Sequence, residues 1–192
     1  MPEQKIEILT EKLLSDNWYR LKTTSFRYLT RKGVWENYNR ETYDRGNGAT
    51  ILLYNKATRN IILTRQFRFP TYVNGNPDGM LIETCAGLLD NDNPETAIRR
   101  ETQEETGYII TDVHKVFEAY MSPGSVTELV YFFIAEYSAG TRKNEGGGID
   151  EEEIEVLQLP FEQAFGMIAT GEIRDGKTIM LLQHLFISGI LG

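Results

Sequence analysis

Between Trp18 and Asp44, aromatic and β-branched residues mix with polar ones on either side of Arg31-Lys32-Gly33. Residues 18–30 and 34–44 are therefore expected to form a hairpin about that turn. The mostly apolar stretches 49–54 and 60–64 flank Asn55-Lys56-Ala57-Thr58-Arg59 and predict a second hairpin with a buried face. Asn74-Gly75-Asn76-Pro77-Asp78-Gly79 must be a loop, followed by one short strand over 80–85. Further strands are expected at 113–120, 129–137 and 155–159.

Helices are fewer and better marked. Asn93 can cap a helix, Pro94 suits its first position and Gly107 its C-terminal stop, which predicts a helix over 94–106. Pro160 opens a periodic segment with Phe161, Phe165 and Ile168 that ends before Gly171. A last helix is expected from about Gly176 to Ile187, with the stripe Met180, Leu181, Leu185 and Ile187 as core or dimer surface. Strands, one helix, more strands and two helices argue an α+β fold or mixed sandwich, not alternating βαβ units.

A length of 192 residues suggests one domain with enough apolar mass for a real core. Twenty Lys and Arg against 28 Asp and Glu leave a formal charge of −8, and no basic run interrupts it. Nucleic acid is thus not an expected partner. The single Cys85 can form no intrachain disulfide and has no partners for a thiolate zinc site. The longest apolar stretch, 178–191, is broken by Gln183, His184, Ser188 and Gly189 and is too short to span a bilayer. No apolar segment follows the charged N-terminus, so a cytoplasmic location away from membranes is expected.

The charges on helix 94–106 are unusual. Glu95 sits in the first turn, where the helix dipole favours it, and can pair with Arg99. Glu101, Glu104 and Glu105 crowd one side of the helix, the last two at its negative end. That arrangement costs ~1–2 kcal/mol without compensation, part of which Arg100 can offset through Glu104. The trio is either a solvated acidic face or a site for a hard cation such as Mg²⁺, which takes carboxylate oxygens and completes its shell with water or phosphate. Just upstream, Gly87 in Ala86-Gly87-Leu88-Leu89-Asp90 permits close approach of backbone to helix.

Gly87 followed at fixed spacing by Arg100-Glu101-Thr102-Gln103-Glu104-Glu105-Thr106-Gly107-Tyr108 resembles the Nudix box, G-x5-E-x7-R-E-U-x-E-E-x-G-U. Two positions depart from it: Asn93 replaces the first glutamate, and Thr102 stands where an apolar residue is usual. The first glutamate mainly steadies the start of the helix in this family, and Asn93 can still cap it. The resemblance implies an αβα sandwich of mixed sheets carrying a loop–helix–loop, and hydrolysis of nucleoside diphosphates linked to another moiety. It makes Glu101 and Glu105 the principal Mg²⁺ ligands (Mn²⁺ as the substitute), with the Ala86 carbonyl completing the site. Glu104 becomes a ligand or water-mediated neighbour, and Arg100 the residue that orients the glutamates.

Further stretches are similar to the GDP-mannose pyrophosphatase branch: 44–50, 65–68, 72–76, 121–128 and 171–177. That likeness implies residues 1–45 as an N-terminal hairpin extension making a homodimer contact, and 46–192 as the hydrolase domain. It implies a nucleotide-sugar substrate, GDP-mannose cleaved to GMP and mannose 1-phosphate. The rivals are an ADP-ribose or ADP-sugar pyrophosphatase, and a non-catalytic nucleotide-sugar binding protein.

A second acidic run, Asp150-Glu151-Glu152-Glu153, follows Gly146-Gly147-Gly148. Alone it reads as a solvated loop, and the glycines suggest a mobile lid. The resemblance assigns Glu152 to the metal and Glu151 to substrate contact. Glu152 and Glu128 are both candidates for the general base, while His114 and His184 are read as structural. Arg68 is either a phosphate ligand or a surface arginine, and Lys177 either meets substrate or lies on a helix surface. Ala86, Gly87 and Leu88 would contact substrate along the loop. Trp18 and Asn39-Arg40-Glu41 would line the site of a dimer partner, though Trp18 also suits simple packing.

Overall fold

The computed structural model describes residues 5–149 and 152–191. These fall into two compact units, one of Met1–Asn47 with Tyr120–Leu129 and one of Gly48–Ala119 with Val130–Gly192.

The first unit is a three-stranded antiparallel sheet in the order β1 (Ile6–Asp16), β2 (Arg20–Leu29), β3 (Trp35–Asp44). The β2–β3 hairpin follows the sequence pattern. The sequence reading does not include β1, whose apolar positions Ile6, Ile8, Leu9, Leu13 and Leu14 fit neither period. Its register against β2 shifts between Ile8 and Thr10 and again between Leu13 and Ser15, so alternation is lost twice. Backbone bonds between Tyr43 and both Ser125 and Thr127 join segment 120–129 to β3.

The second unit is built on a seven-stranded mixed sheet. Its strands are β4 (Gly48–Asn55), β5 (Asn60–Phe67), β6 (Met80–Glu83), β7 (Cys85–Leu88), β8 (His114–Tyr120), β9 (Leu129–Glu136) and β10 (Glu155–Pro160). The main path runs β10-β5-β4-β9-β8, with β6 on β5 and β7 on β4. The β4–β9 pairing is parallel. The expected single strand over 80–85 is thus two strands. β4 and β5 pair only near their turn, from Leu53 and Ile62 to Asn55 and Asn60, and beyond it each takes its own partner. Thr84 marks the break, its N–H donating to Thr178 Oγ1 at 2.7 Å.

Among the described residues there are four α-helices, α1 (Phe69–Val73), α2 (Pro94–Thr106), α3 (Phe161–Thr170) and α4 (Gly176–Ser188), and a 3₁₀ turn at Ala139–Thr141. Strand β4 is apolar at nearly every position because both sheet faces are covered. Ile51, Leu53, Ile62, Cys85 and Phe133 pack with Ile98 of α2 on one face. On the other, Phe132 packs tilted against Phe117, which in turn meets His184 of α4. The α4 stripe differs from the expected one. Thr178, Leu181, Leu182 and Leu185 are buried at true helical spacing, whereas Ile187 is exposed. Among the described residues no helix is long and apolar enough to cross a membrane.

Candidate functional site

Helix α2 starts where Asn93 accepts a bond from the Thr96 N–H at 3.0 Å and stops at Gly107, whose φ is 76°. Thr102 is fully buried, yet its hydroxyl donates to the Ile98 carbonyl at 2.6 Å. A polar side chain is tolerated at an apolar position because its bond is made within the helix.

This helix lays its glutamates across β7. A Cβ on Gly87 would run into the Glu101 carboxyl group, so only glycine permits the approach. Glu105 is 3% exposed, and among the described residues its Oε2 has no hydrogen-bond partner. Burial pushes its carboxyl group up to about 8; the Cys85 thiol and Arg68 oppose this, while the charges of Glu101 and Glu152 add to it. Burial also raises Glu101, aided by Glu104 and Glu152 and opposed by Arg100. Burial, then the Glu105 charge, hold the Cys85 thiol well above its ordinary range. Arg100 bonds Glu101 at 2.9 Å and Glu104 at 3.3 Å, and reaches Asp90 and Asp92 at 3.6 and 3.8 Å.

The glycine segment bonds to the end of α2. Gly147 and Gly148 donate to the Glu105 and Glu104 carbonyls at 2.9 and 3.1 Å, satisfying the open end of α2. All three glycines have positive φ, and a Cβ at Gly148 would come within 2.6 Å of the Glu152 side chain. Glu152 then accepts from the Ile149 N–H at 3.1 Å, close enough to Glu101 and Glu105 for its charge to be felt by both. Glu151, like Asp150, lies outside the described residues.

Arg68 and Lys177 meet at a residue the sequence reading did not single out, Glu83. Its Oε2 accepts from Arg68 Nε at 2.6 Å and its Oε1 from Lys177 Nζ at 2.5 Å. Lys177 also pairs with Asp175 at 3.0 Å. The available signal was a carboxylate inside Met80-Leu81-Ile82-Glu83-Thr84-Cys85, where an unpaired charge would not be buried. Ala86 and Leu88 are half-buried in β7, opposite Thr50 and Gly48 of β4.

The remaining candidates belong to the first unit. Glu128 pairs with Arg45 at 3.4 Å. Trp18 is 83% exposed, its ring edge-on to Tyr19. Asn39 accepts from the Ser25 hydroxyl, Arg40 bonds the Asn39 carbonyl, and Glu41 stands opposite Thr23 in the β2–β3 ladder. His114 is exposed beside Asp112, and His184 meets Phe117 edge-on.

Residues 44–182 match the family model described as NUDIX domain. The chain belongs to the Nudix family. Residues 5–43 match a second model, the GDP-mannose pyrophosphatase NudK N-terminal domain. Three relatives are named GDP-mannose pyrophosphatase. One, from Enterobacter sp. (strain 638), is 59% identical over 187 residues, covering 97% of this chain and 98% of its own. Another, from Salmonella arizonae, is 56% identical over 189 residues, covering 98% and 99%. The third, from Klebsiella pneumoniae subsp. pneumoniae, is 57% identical over 186 residues, covering 97% and 94%.

Nudix hydrolases generally use divalent metal ions, and this site's chemistry fits one. Among the described residues the buried Glu105 Oε2 lacks a partner, and the charges of two further carboxylates, Glu101 and Glu152, bear on it. Among the described residues no group of three or more His, Cys, Asp or Glu side chains is gathered as a ready-made metal cage.

Proposed function

We propose that this chain is a Mg²⁺-dependent pyrophosphatase, able to use Mn²⁺, that hydrolyses GDP-mannose to GMP and mannose 1-phosphate. It works as a homodimer in the cytoplasm. The observation that carries the reaction class is the buried, unpartnered Oε2 of Glu105 between the charges of Glu101 and Glu152. The substrate follows from relatives that bear that name along nearly their whole length.

Glu101, Glu105 and the Ala86 carbonyl would hold the metal, with Glu104 a ligand or water-linked neighbour and Glu152 joining them. Bound there, the ion would offset the diphosphate's charge and lower the pKa of the attacking water. Arg100 keeps Glu101 and Glu104 in place. Arg68 and Lys177 direct N–H donors at the phosphates, and the Gly87–Leu88 backbone and Glu151 contact substrate. Glu152 takes the water's proton, with Glu128 as the second candidate.

Residues 1–45 serve as the dimer-forming extension, and 46–192 as the hydrolase domain. Exposed Ile6, Ile8, Leu9, Leu13 and Leu14 on β1 support an apolar contact there. Trp18, Asn39, Arg40 and Glu41 would then reach the partner subunit's site. A panel of GDP-mannose, ADP-ribose and UDP-glucose with Mg²⁺ tests the reading. The highest kcat/KM is expected for GDP-mannose, with GMP released. Preference for ADP-ribose overturns the substrate, and tight binding without turnover overturns the enzyme.

A further inference from the structure

Glu83 is 3% exposed at the end of β6, and each of its oxygens is taken by a different cation. The arrangement around it is anchored. Asp175 caps α4 by accepting from the Thr178 N–H at 2.9 Å and the Thr178 hydroxyl at 2.6 Å, while its other oxygen pairs with Lys177. The Thr178 hydroxyl in turn accepts from the Thr84 N–H, next to Glu83 in the chain. Two carboxylates thus face two cations, and the group is neutral as a whole.

What the cations keep free is the informative part. Arg68 uses only Nε on Glu83, and among the described residues its terminal nitrogens have no hydrogen-bond partner. Its side chain is 39% exposed, and its charge is felt at Glu105. A guanidinium is planar, so fixing Nε fixes the plane in which the remaining fork points. Lys177 spends two of its three donors, on Glu83 and Asp175.

We propose that Glu83 is a positioning residue, which through its two oxygens aims the unused N–H donors of Arg68 and Lys177 at the phosphates of a nucleoside diphosphate. The inference rests on the reading above that these two cations hold the diphosphate. Glu83 itself touches no substrate. A carboxylate serving stability alone gains little here, since a buried ion pair is often no better than an apolar replacement.

The test is steady-state kinetics on Glu83→Gln, Glu83→Asp, Arg68→Ala and the Glu83→Gln/Arg68→Ala double variant of the full chain, with GDP-mannose and Mg²⁺. Glu83→Gln should raise KM by about tenfold to a hundredfold, the scale of a lost charged hydrogen bond, while kcat changes much less. Glu83→Asp should recover part of that rise, and the loss in the double variant should fall well short of the product of the single losses. Unchanged KM, a fall confined to kcat, or fully multiplicative losses would overturn the proposal. Should Glu83→Gln not fold, Arg68→Lys supplies the test: it keeps the charge without the fork and should raise KM similarly, and a normal KM sinks the idea. If the unmodified protein cleaves no nucleoside diphosphate sugar, the function itself fails, and this inference with it.

Discussion

The carboxyl group of Glu101 occupies the space that a Cβ on Gly87 would need. The glycine is therefore a constraint on where the Glu101 oxygens can lie, not merely on the turn. Gly87→Ala should displace Glu101 and lower kcat/KM by about 10²-fold, the scale expected for a roughly 1 Å misplacement. Kinetics alongside a thermal melt separates this from unfolding; near-normal turnover would contradict the geometry.

Glu152 and Glu128 should differ under the same substitution. Glu152 is felt electrostatically by both Glu101 and Glu105, whereas Glu128 is paired with Arg45. Glu152→Gln is expected to cost about 10²–10⁴ in kcat, and Glu128→Gln markedly less. Equal, mild effects would remove both from the role of base.

Metal-free protein should show the burial of Glu105 as a pH dependence. Its carboxyl group rises from 4.5 to about 8 on folding, so the folded state holds the proton more tightly. The associated stability is complete below about 4.5 and is lost as pH rises towards about 8. Melts in chelator should therefore fall across that window, and Mg²⁺ should reverse the fall. Glu105→Gln should flatten the slope; an unchanged slope in that variant would rule out Glu105 as its source.

The two departures within the acidic helix motif should be mild. Asn93→Ala removes the cap on Thr96 N–H and should cost about 1 kcal/mol in denaturant unfolding. Thr102→Val deletes a hydroxyl whose acceptor is a carbonyl of the same helix, and should change stability by about 1 kcal/mol, the net worth of one such hydrogen bond.

Most of this was legible locally. Asn93, Pro94 and Gly107 mark α2 within the sequence, and the structure gives it the expected residues 94–106. The spacing of Glu101, Glu104 and Glu105 put carboxylates together before any fold was known. What stayed hidden depends on distant partners. β1 escaped because two register shifts break its alternation. The break at Thr84 depends on a hydroxyl of α4, 94 residues away. Glu83 looked like one charge in an apolar strand until Arg68 and Lys177 converged on it. The glycines before Glu152 suggested freedom, yet the N–H groups of Gly147 and Gly148 bond the Glu105 and Glu104 carbonyls at the end of α2.

Diffraction from crystals soaked in Mn²⁺ tests the central claim most directly. The account predicts an anomalous peak held by Glu101, Glu105 and the Ala86 carbonyl. No peak there, with both glutamates turned to solvent, would contradict it.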